Sequence, residues 1–343
     1  MSTTAKELQQ TVASLIAPGK GILAADESGG TIEKRFSAVN VASTQESRRD
    51  YRELLFSTPG LNEFISGVIL YDETIKQQNT TGVPLPDLLK AQGMLAGIKV
   101  DSGTVPLAGF PEEKMTEGLD GLAKRLTEYK QLGARFAKWR AVLTIANGIP
   151  THGGIANNAY ALARYAAICQ DIGLVPIVEP EVLMDGDHTI ETCAAVTEQV
   201  LNVVFHALNK QRVVLEYMIL KPNMVVPGVQ CTVQASPQQI ADATLRCLRR
   251  TVPGAVPGIT FLSGGQTDAA ATENLNAMNV LGIKNPLPWQ VSFSYGRALQ
   301  SSAIKSWHGE ASNKEAAQQA LYLRARLNSA AVRGQYSAEM EAL

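Results

Sequence analysis

Short apolar runs alternate along the chain with longer stretches of helical periodicity. The runs Gly21–Asp26, Ser66–Asp72, Ala96–Asp101, Arg135–Leu143, Leu174–Leu183, Val213–Asn223, Gly258–Ser263 and Trp289–Tyr295 read as eight strands. Most are nearly continuous rather than alternating, as in a parallel sheet covered on its outer face. The intervening segments carry helix-start signals. Ser43-x-x-Glu46, Ser236-x-x-Gln239 and Ser312-x-x-Glu315 each match a capping box, which satisfies orphan amides at a helix start. Pro237 takes a first helical position, where a missing N–H costs nothing. Thr189–Lys210 sets Val196, Val200, Val203 and Ala207 on one stripe of a long helix. Strand–helix alternation without a low-complexity linker predicts an α/β fold closed into a (β/α)8 TIM barrel. It forms a single domain over residues 1–343, with an amphipathic N-terminal helix from Met1 to Ala17 and a C-terminal helix and tail. An open doubly wound sheet is the alternative, but its Gly-x-Gly-x-x-Gly turn after an early strand is missing.

Composition narrows the class of partner. The 343 residues carry 32 acidic and 31 basic side chains, a formal net charge of −1, and 45% are hydrophobic. A chain this long buries roughly 75% of its unfolded surface and needs no staples. Near-neutral charge without basic blocks argues against nucleic acid as a partner. No run reaches the roughly 18 apolar residues that argue for a membrane span. Cys169, Cys193, Cys231 and Cys247 form no Cys-x-x-Cys pair, so a reducing compartment, the cytoplasm, is expected.

The ionisable residues sit at the carboxyl ends of the predicted strands. Asp26 closes the first, Lys99 and Asp101 the third, and Lys138 and Arg140 lie late in the fourth. Glu179 and Glu181 end the fifth, Lys221 the sixth and Ser263 the seventh, while Arg297 follows the eighth. In a barrel that mouth holds the active site, and period-two geometry puts Lys138 with Arg140, and Glu179 with Glu181, on one side of their strands. Any single strand-end charge is more often a solvated residue or half an ion pair; the recurrence over six strands is what points to chemistry. With Arg35, the cations outnumber the anions there, so an anionic small molecule, one with two phosphates, is the expected substrate.

Ser263-Gly264-Gly265 and Ser294-Tyr295-Gly296-Arg297 follow the last two strands, the customary phosphate-binding loops of this architecture. Lys221 ends the apolar run Met218-Ile219-Leu220 and precedes Pro222. Burial and the cations Lys138 and Lys99 would favour its neutral, nucleophilic amine; a lysine stem snorkelling along the rim is the bland alternative. The four histidines, His152, His188, His206 and His308, lack metal-ligand spacing. Asp185-Gly-Asp187 reads as a turn and helix cap.

These residues spell out a resemblance. Gly21-Ile-Leu-Ala-Ala-Asp26-Glu-Ser28, Gly97-Ile-Lys99-Val-Asp101, Phe136-Ala-Lys138-Trp-Arg140, Val178-Glu179-Pro-Glu181, Leu220-Lys221-Pro-Asn-Met224, Phe261-Leu-Ser263-Gly-Gly265 and Phe293-Ser-Tyr-Gly-Arg297-Ala-Leu resemble class I fructose-1,6-bisphosphate aldolase from Ala17 to Tyr336. The resemblance implies a homotetrameric barrel in glycolysis and gluconeogenesis, needing neither metal nor cofactor. Such an enzyme cleaves fructose 1,6-bisphosphate reversibly to dihydroxyacetone phosphate and glyceraldehyde 3-phosphate. By matching motif, Lys221 would form the Schiff base, Glu179 would be the general acid/base, Glu181 would tune Glu179, and Asp26 and Lys138 would polarise intermediates. Ser263, Gly264, Gly265, Ser294, Gly296 and Arg297 would hold the C1 phosphate; Ser28, Thr31, Arg35 and Lys99 would hold the other; Arg140 joins the binding set. Thr31 stands where serine is common. The sequence ends Tyr336-Ser-Ala-Glu-Met-Glu-Ala-Leu343, where many members have a longer tail finishing in tyrosine, so the choice between the bisphosphate and the 1-phosphate stays open. Two other readings use the same features: a pyridoxal-phosphate protein, for which a strand-end lysine and a phosphate loop also serve, and a silent binding scaffold, against which the intact Lys221, Glu179 and Asp26 argue.

Overall fold

The computed structural model describes residues 3–342. Met1, Ser2 and Leu343, which belong to the predicted N-terminal helix and domain, lie outside the described residues. Eight parallel strands close into a barrel in the order β1-β10-β9-β8-β7-β6-β3-β2. They are β1 (Gly21–Ala24), β2 (Ile65–Leu70), β3 (Leu95–Lys99), β6 (Ala134–Leu143), β7 (Val175–Val182), β8 (Ile219–Leu220), β9 (Gly258–Phe261) and β10 (Gln290–Tyr295). A short antiparallel hairpin, β4 (Thr104–Pro106) with β5 (Lys114–Thr116), stands after β3. Its three-residue strands are too short to leave a periodic signal, and the hydropathy pattern does not anticipate it.

All eight predicted strands form, with ends shifted by one or two residues in most of them. The largest correction is β8: of Val213–Asn223 only Ile219–Leu220 is strand, because Leu215–Tyr217 winds into a 3-10 turn. Beyond it the Lys221 amide still reaches Val178 O at 2.8 Å, but Pro222 has no N–H to extend the ladder. Likewise β1 stops at Ala24, so Asp26 stands two residues past the strand rather than closing it.

One of the three predicted capping boxes forms, Ser236 with Gln239, and Pro237 sits just inside that helix. At the helix Gln45–Phe56 the cap is Thr44 with Ser47, one residue on from the predicted Ser43. Ser312 lies inside a 3-10 turn that runs into the helix Lys314–Val332, so it caps nothing. Helix Ile190–Lys210 is packed by neighbours on both sides, His152–Ile172 and Pro237–Thr251. It therefore buries a broad arc including Thr197, Val200, Leu201, Val204 and Leu208, with the predicted Val196, Val203 and Ala207 only half-buried at its flank.

The N-terminal helix α1 (Thr3–Leu15) closes the floor of the barrel. Leu8, Val12 and Leu15 pack on Ile22, Ile69, Phe136, Val175, Ile177 and Ile219. Gly97 makes room for the Phe136 ring, which occupies the space a Cβ there would need. Among the described residues no helix is long and apolar enough to cross a membrane.

Candidate active site

Each chemical group is delivered by the same alternation that builds the floor. On β6, Phe136 belongs to the floor cluster while Lys138 and Arg140, two and four residues on, line a cavity at the mouth. On β7 the sequence runs Ile177, then Glu179 and Glu181; on β8, Ile219 is followed by Lys221. The cavity holds about 740 Å³, within the range of small-molecule sites.

At its base four charges form a neutral quartet. Glu179 Oε1 lies 3.1 Å from Lys221 Nζ, and Glu179 Oε2 lies 3.1 Å from Lys138 Nζ, which is 2.8 Å from Asp26 Oδ2. Lys138, Glu179 and Lys221 are each at most 4% exposed. Uncompensated charges at such depth would be prohibitive; balanced, they are tolerable but not a source of stability. Burial pushes the Glu179 carboxyl up, but Lys138, Lys221 and Arg140 outweigh it, so it lies below its ordinary range. Asp26 is likewise held well below, burial being overcome by Lys138 first and then Lys221. For Lys138 burial favours the neutral amine, yet Asp26, Glu179 and Asp101 raise its pKa above that of ordinary lysine. Lys138 is therefore a locked cation. The expectation that it crowds Lys221 as a bare positive charge is corrected: its charge is already countered by Asp26 and Glu179. Lys99 is tied to Asp101 Oδ1 at 2.5 Å, whereas the Lys221 ion pair is with Glu179, the carboxylate it shares with Lys138. Glu179 Oε2 is buried and ion-paired with Lys138 but takes no aligned hydrogen bond.

Arg140 Nε pairs with Glu181 Oε2 at 2.5 Å, and that pairing outweighs burial in raising the guanidinium pKa. Glu181 Oε1 lies 2.9 Å from where a Cβ on Gly264 would sit, so only glycine lets the loop after β9 approach this close. Among the described residues the Gly264 and Gly265 amides donate no hydrogen bond, and the buried Ser294 Oγ has no partner. Arg297 opens the helix Arg297–Trp307 beside them and is exposed. Free donors, a helix N-terminus and an unpaired guanidinium make an anion site. A second polar group gathers across the cavity: Ser28 and Thr31, whose hydroxyls are 3.2 Å apart, with Lys99 and Arg35. Arg35 lies between the two groups, its Nη2 3.6 Å from the position of a Cβ on Gly296.

Every residue the sequence singled out for chemistry lines this cavity except Gly265, which sits behind Gly264 against Met184. Several lining residues escaped the sequence reading, Lys34 and Tyr71 among them. Ser102, Gly103 and Thr104, at the base of the unanticipated hairpin, form one wall. Glu27, a buried residue of the cavity wall, ion-pairs with both Arg35 and Arg52 and accepts from Gln300 Nε2 at 2.9 Å. Arg52 and Arg35 overcome burial to hold its carboxyl below the usual range. Its only signal in the sequence is adjacency to Asp26. Among the described residues, no group of three His, Cys, Asp or Glu side chains could hold a metal. Asp185 and Asp187 lie in a turn, but the cap of the following helix is Thr189 rather than an aspartate.

Comparison with known proteins converges on one family. A family model described as fructose-bisphosphate aldolase class-I matches residues 7–343. A probable fructose-bisphosphate aldolase class 1 of Xanthomonas campestris pv. campestris is 55% identical over 332 residues, 96% of this chain and 98% of the relative. A cytosolic fructose-bisphosphate aldolase of Arabidopsis thaliana is 54% identical, covering 98% of this chain and 94% of its own. Among solved structures, the fructose-bisphosphate aldolase of Plasmodium falciparum, in complex with TRAP and a small-molecule inhibitor, superposes with a TM-score of 0.96. It is 51% identical, with 98% of this chain and 97% of that one covered.

Proposed function

The chain belongs to the class I fructose-bisphosphate aldolase family, and on that premise we propose which of its residues carry out the aldol cleavage. The enzyme is a fructose-bisphosphate aldolase of glycolysis, and the Schiff base characteristic of its class is assigned to Lys221. One observation carries the assignment: the Lys221–Glu179 pair, 3.1 Å apart, with Lys138 beside it neutralised by Asp26 and Glu179.

The steps follow from that geometry. Ionised Glu179 takes a proton from the Lys221 ammonium, and the free amine attacks the C2 carbonyl of fructose 1,6-bisphosphate. Glu179, now protonated, returns the proton to the departing hydroxyl; water leaves and a protonated imine remains. Glu179, again a carboxylate, then takes the C4 hydroxyl proton. The C3–C4 bonding pair flows into the imine as an enamine, and glyceraldehyde 3-phosphate departs. Proton uptake at C3 and hydrolysis of the imine release dihydroxyacetone phosphate. The imine is the electron sink, so this route calls on no metal. Lys138 and Asp26 polarise the oxygens that gain and lose protons, and Glu181, through Arg140, holds the flank of Glu179. Ser263, Gly264, Gly265, Ser294, Gly296 and Arg297 take the C1 phosphate; Ser28, Thr31, Arg35 and Lys99 take the other.

The family points further to one domain over residues 1–343, a homotetramer, and a cytoplasmic location, the last also from the cytosolic relative. A coupled assay with fructose 1,6-bisphosphate and fructose 1-phosphate, before and after exhaustive dialysis against a chelator, tests the reading. Unchanged cleavage of the bisphosphate after dialysis supports it. Loss of activity restored specifically by zinc overturns the imine route.

A further inference from the structure

The loops after β7, β8 and β9 form a stack whose middle layer is Met184. Val229 N donates to Met184 O at 2.8 Å, Gly228 N to His188 O at 2.8 Å, and Gln230 N to Gly186 O at 2.9 Å. The loop that follows Lys221 is thus zipped to the loop that follows Glu179 and Glu181. On its other face that loop supports the glycine pair of the phosphate site. Glu181 presses against Gly264, and at Gly265 the Met184 thioether already occupies the volume of the missing side chain. Gly265 is also held at φ +70°, so this point of the loop favours glycine, and the Met184 sulfur packs directly against it.

Met184 differs from the methionines of the core. Met94, Met218, Met224 and Met278 are at most 2% exposed, whereas Met184 is half-buried. Met115 and Met340 are comparably exposed, but lie in the hairpin and the C-terminal turn.

We propose that Met184 is an oxidative modification site through which peroxide weakens binding at the phosphate loop, resting on the reading of Gly264–Gly265 as the C1-phosphate loop. The thioether sulfur attacks one oxygen of hydrogen peroxide; an S–O bond forms, the O–O bond breaks, and the other oxygen leaves as water. Sulfur is oxidised to the sulfoxide and peroxide is reduced. The new oxygen is a strong acceptor in a place packed for an apolar atom. The loop against the sulfur carries the Gly264 and Gly265 amides, which donate no hydrogen bond and which the phosphate needs, and the added volume displaces Gly265. Met184 is thereby a positioning residue: oxidation raises KM and spares the chemistry at Lys221.

The test treats the enzyme with hydrogen peroxide, quenches with catalase, and follows Met184 sulfoxide by peptide mass spectrometry alongside KM and kcat. KM for fructose 1,6-bisphosphate should rise roughly tenfold, the scale of one lost charge-assisted contact, in step with Met184 sulfoxide. The rise should reverse with methionine sulfoxide reductase, and kcat should stay within twofold. M184L, which cannot form a sulfoxide, should show no change in its own KM on the same treatment. A Met184 that resists oxidation, an oxidised Met184 with unchanged KM, or an equal KM rise in M184L each overturns the proposal. Arg297→Ala separates the two levels. If it raises KM while Met184 oxidation does not, this inference fails and the phosphate reading stands; if neither moves KM, the phosphate reading itself has failed.

Discussion

The two ends of the barrel are made by the same strands and obey opposite rules. At the floor, Ile22, Phe136, Ile177 and Ile219 face one another and the apolar side of α1. Two residues further along three of those strands, the inward positions become Lys138, Glu179 and Lys221, locked in charge pairs. The floor is bought with packing that holds the barrel closed. The mouth keeps buried ions whose desolvation offsets their attraction, so replacing a balanced pair as a whole should cost little stability and nearly all turnover.

The sharpest way to break that contrast is at Lys221. Lys221→Met combined with Glu179→Gln keeps both stems and removes the amine together with the charge it balances, so kcat should fall on the order of 10⁴-fold or more while the melting temperature stays near that of the wild type. A comparable loss of melting temperature would mean that the mouth also carries the fold. Glu179→Gln removes the proton shuttle, and kcat should drop about 10²- to 10⁴-fold, with substrate still bound. On the opposite side of the comparison, Phe136→Ala empties the floor and should cost about 3–5 kcal/mol in urea denaturation. The kcat of the remaining folded enzyme should be nearly unchanged; a collapse there would show that the ends are not separable. Arg297→Ala should raise KM roughly tenfold or more with a small change in kcat, because a phosphate contact is made in ground and transition states alike. A fall in kcat at constant KM would instead place Arg297 in the chemical step. The smallest effect is on acid stability. Asp26, held below its ordinary value of 3.8, contributes stability that is fully present above that pH and lost as pH falls from there toward the folded value. Asp26→Asn should flatten that acid limb of the denaturation curve.

This contrast was half legible in the sequence. Long apolar runs such as those of β6 and β7 announced their strands to within a residue, and alternation along them put Lys138, Arg140, Glu179 and Glu181 in the mouth. Where regular structure stops, alternation loses its meaning. It could not tell that Asp26 pairs with Lys138 while its neighbour Glu27, also at the cavity wall, is tied to Arg35, Arg52 and Gln300. Nor could it foresee the hairpin wall, or that Val213–Asn223 is mostly turn. Caps failed for a related reason: Ser43 and Thr44 are adjacent hydroxyls, and only the path of the chain decides which one meets the helix.

Everything above turns on one covalent bond. Sodium borohydride added to the enzyme with dihydroxyacetone phosphate reduces the imine and freezes the three-carbon unit on its lysine, which peptide mass spectrometry then locates. The account predicts a single labelled peptide, modified at Lys221, with activity lost in proportion to label. Label on Lys99 or Lys138, or no label while turnover is intact, would contradict it.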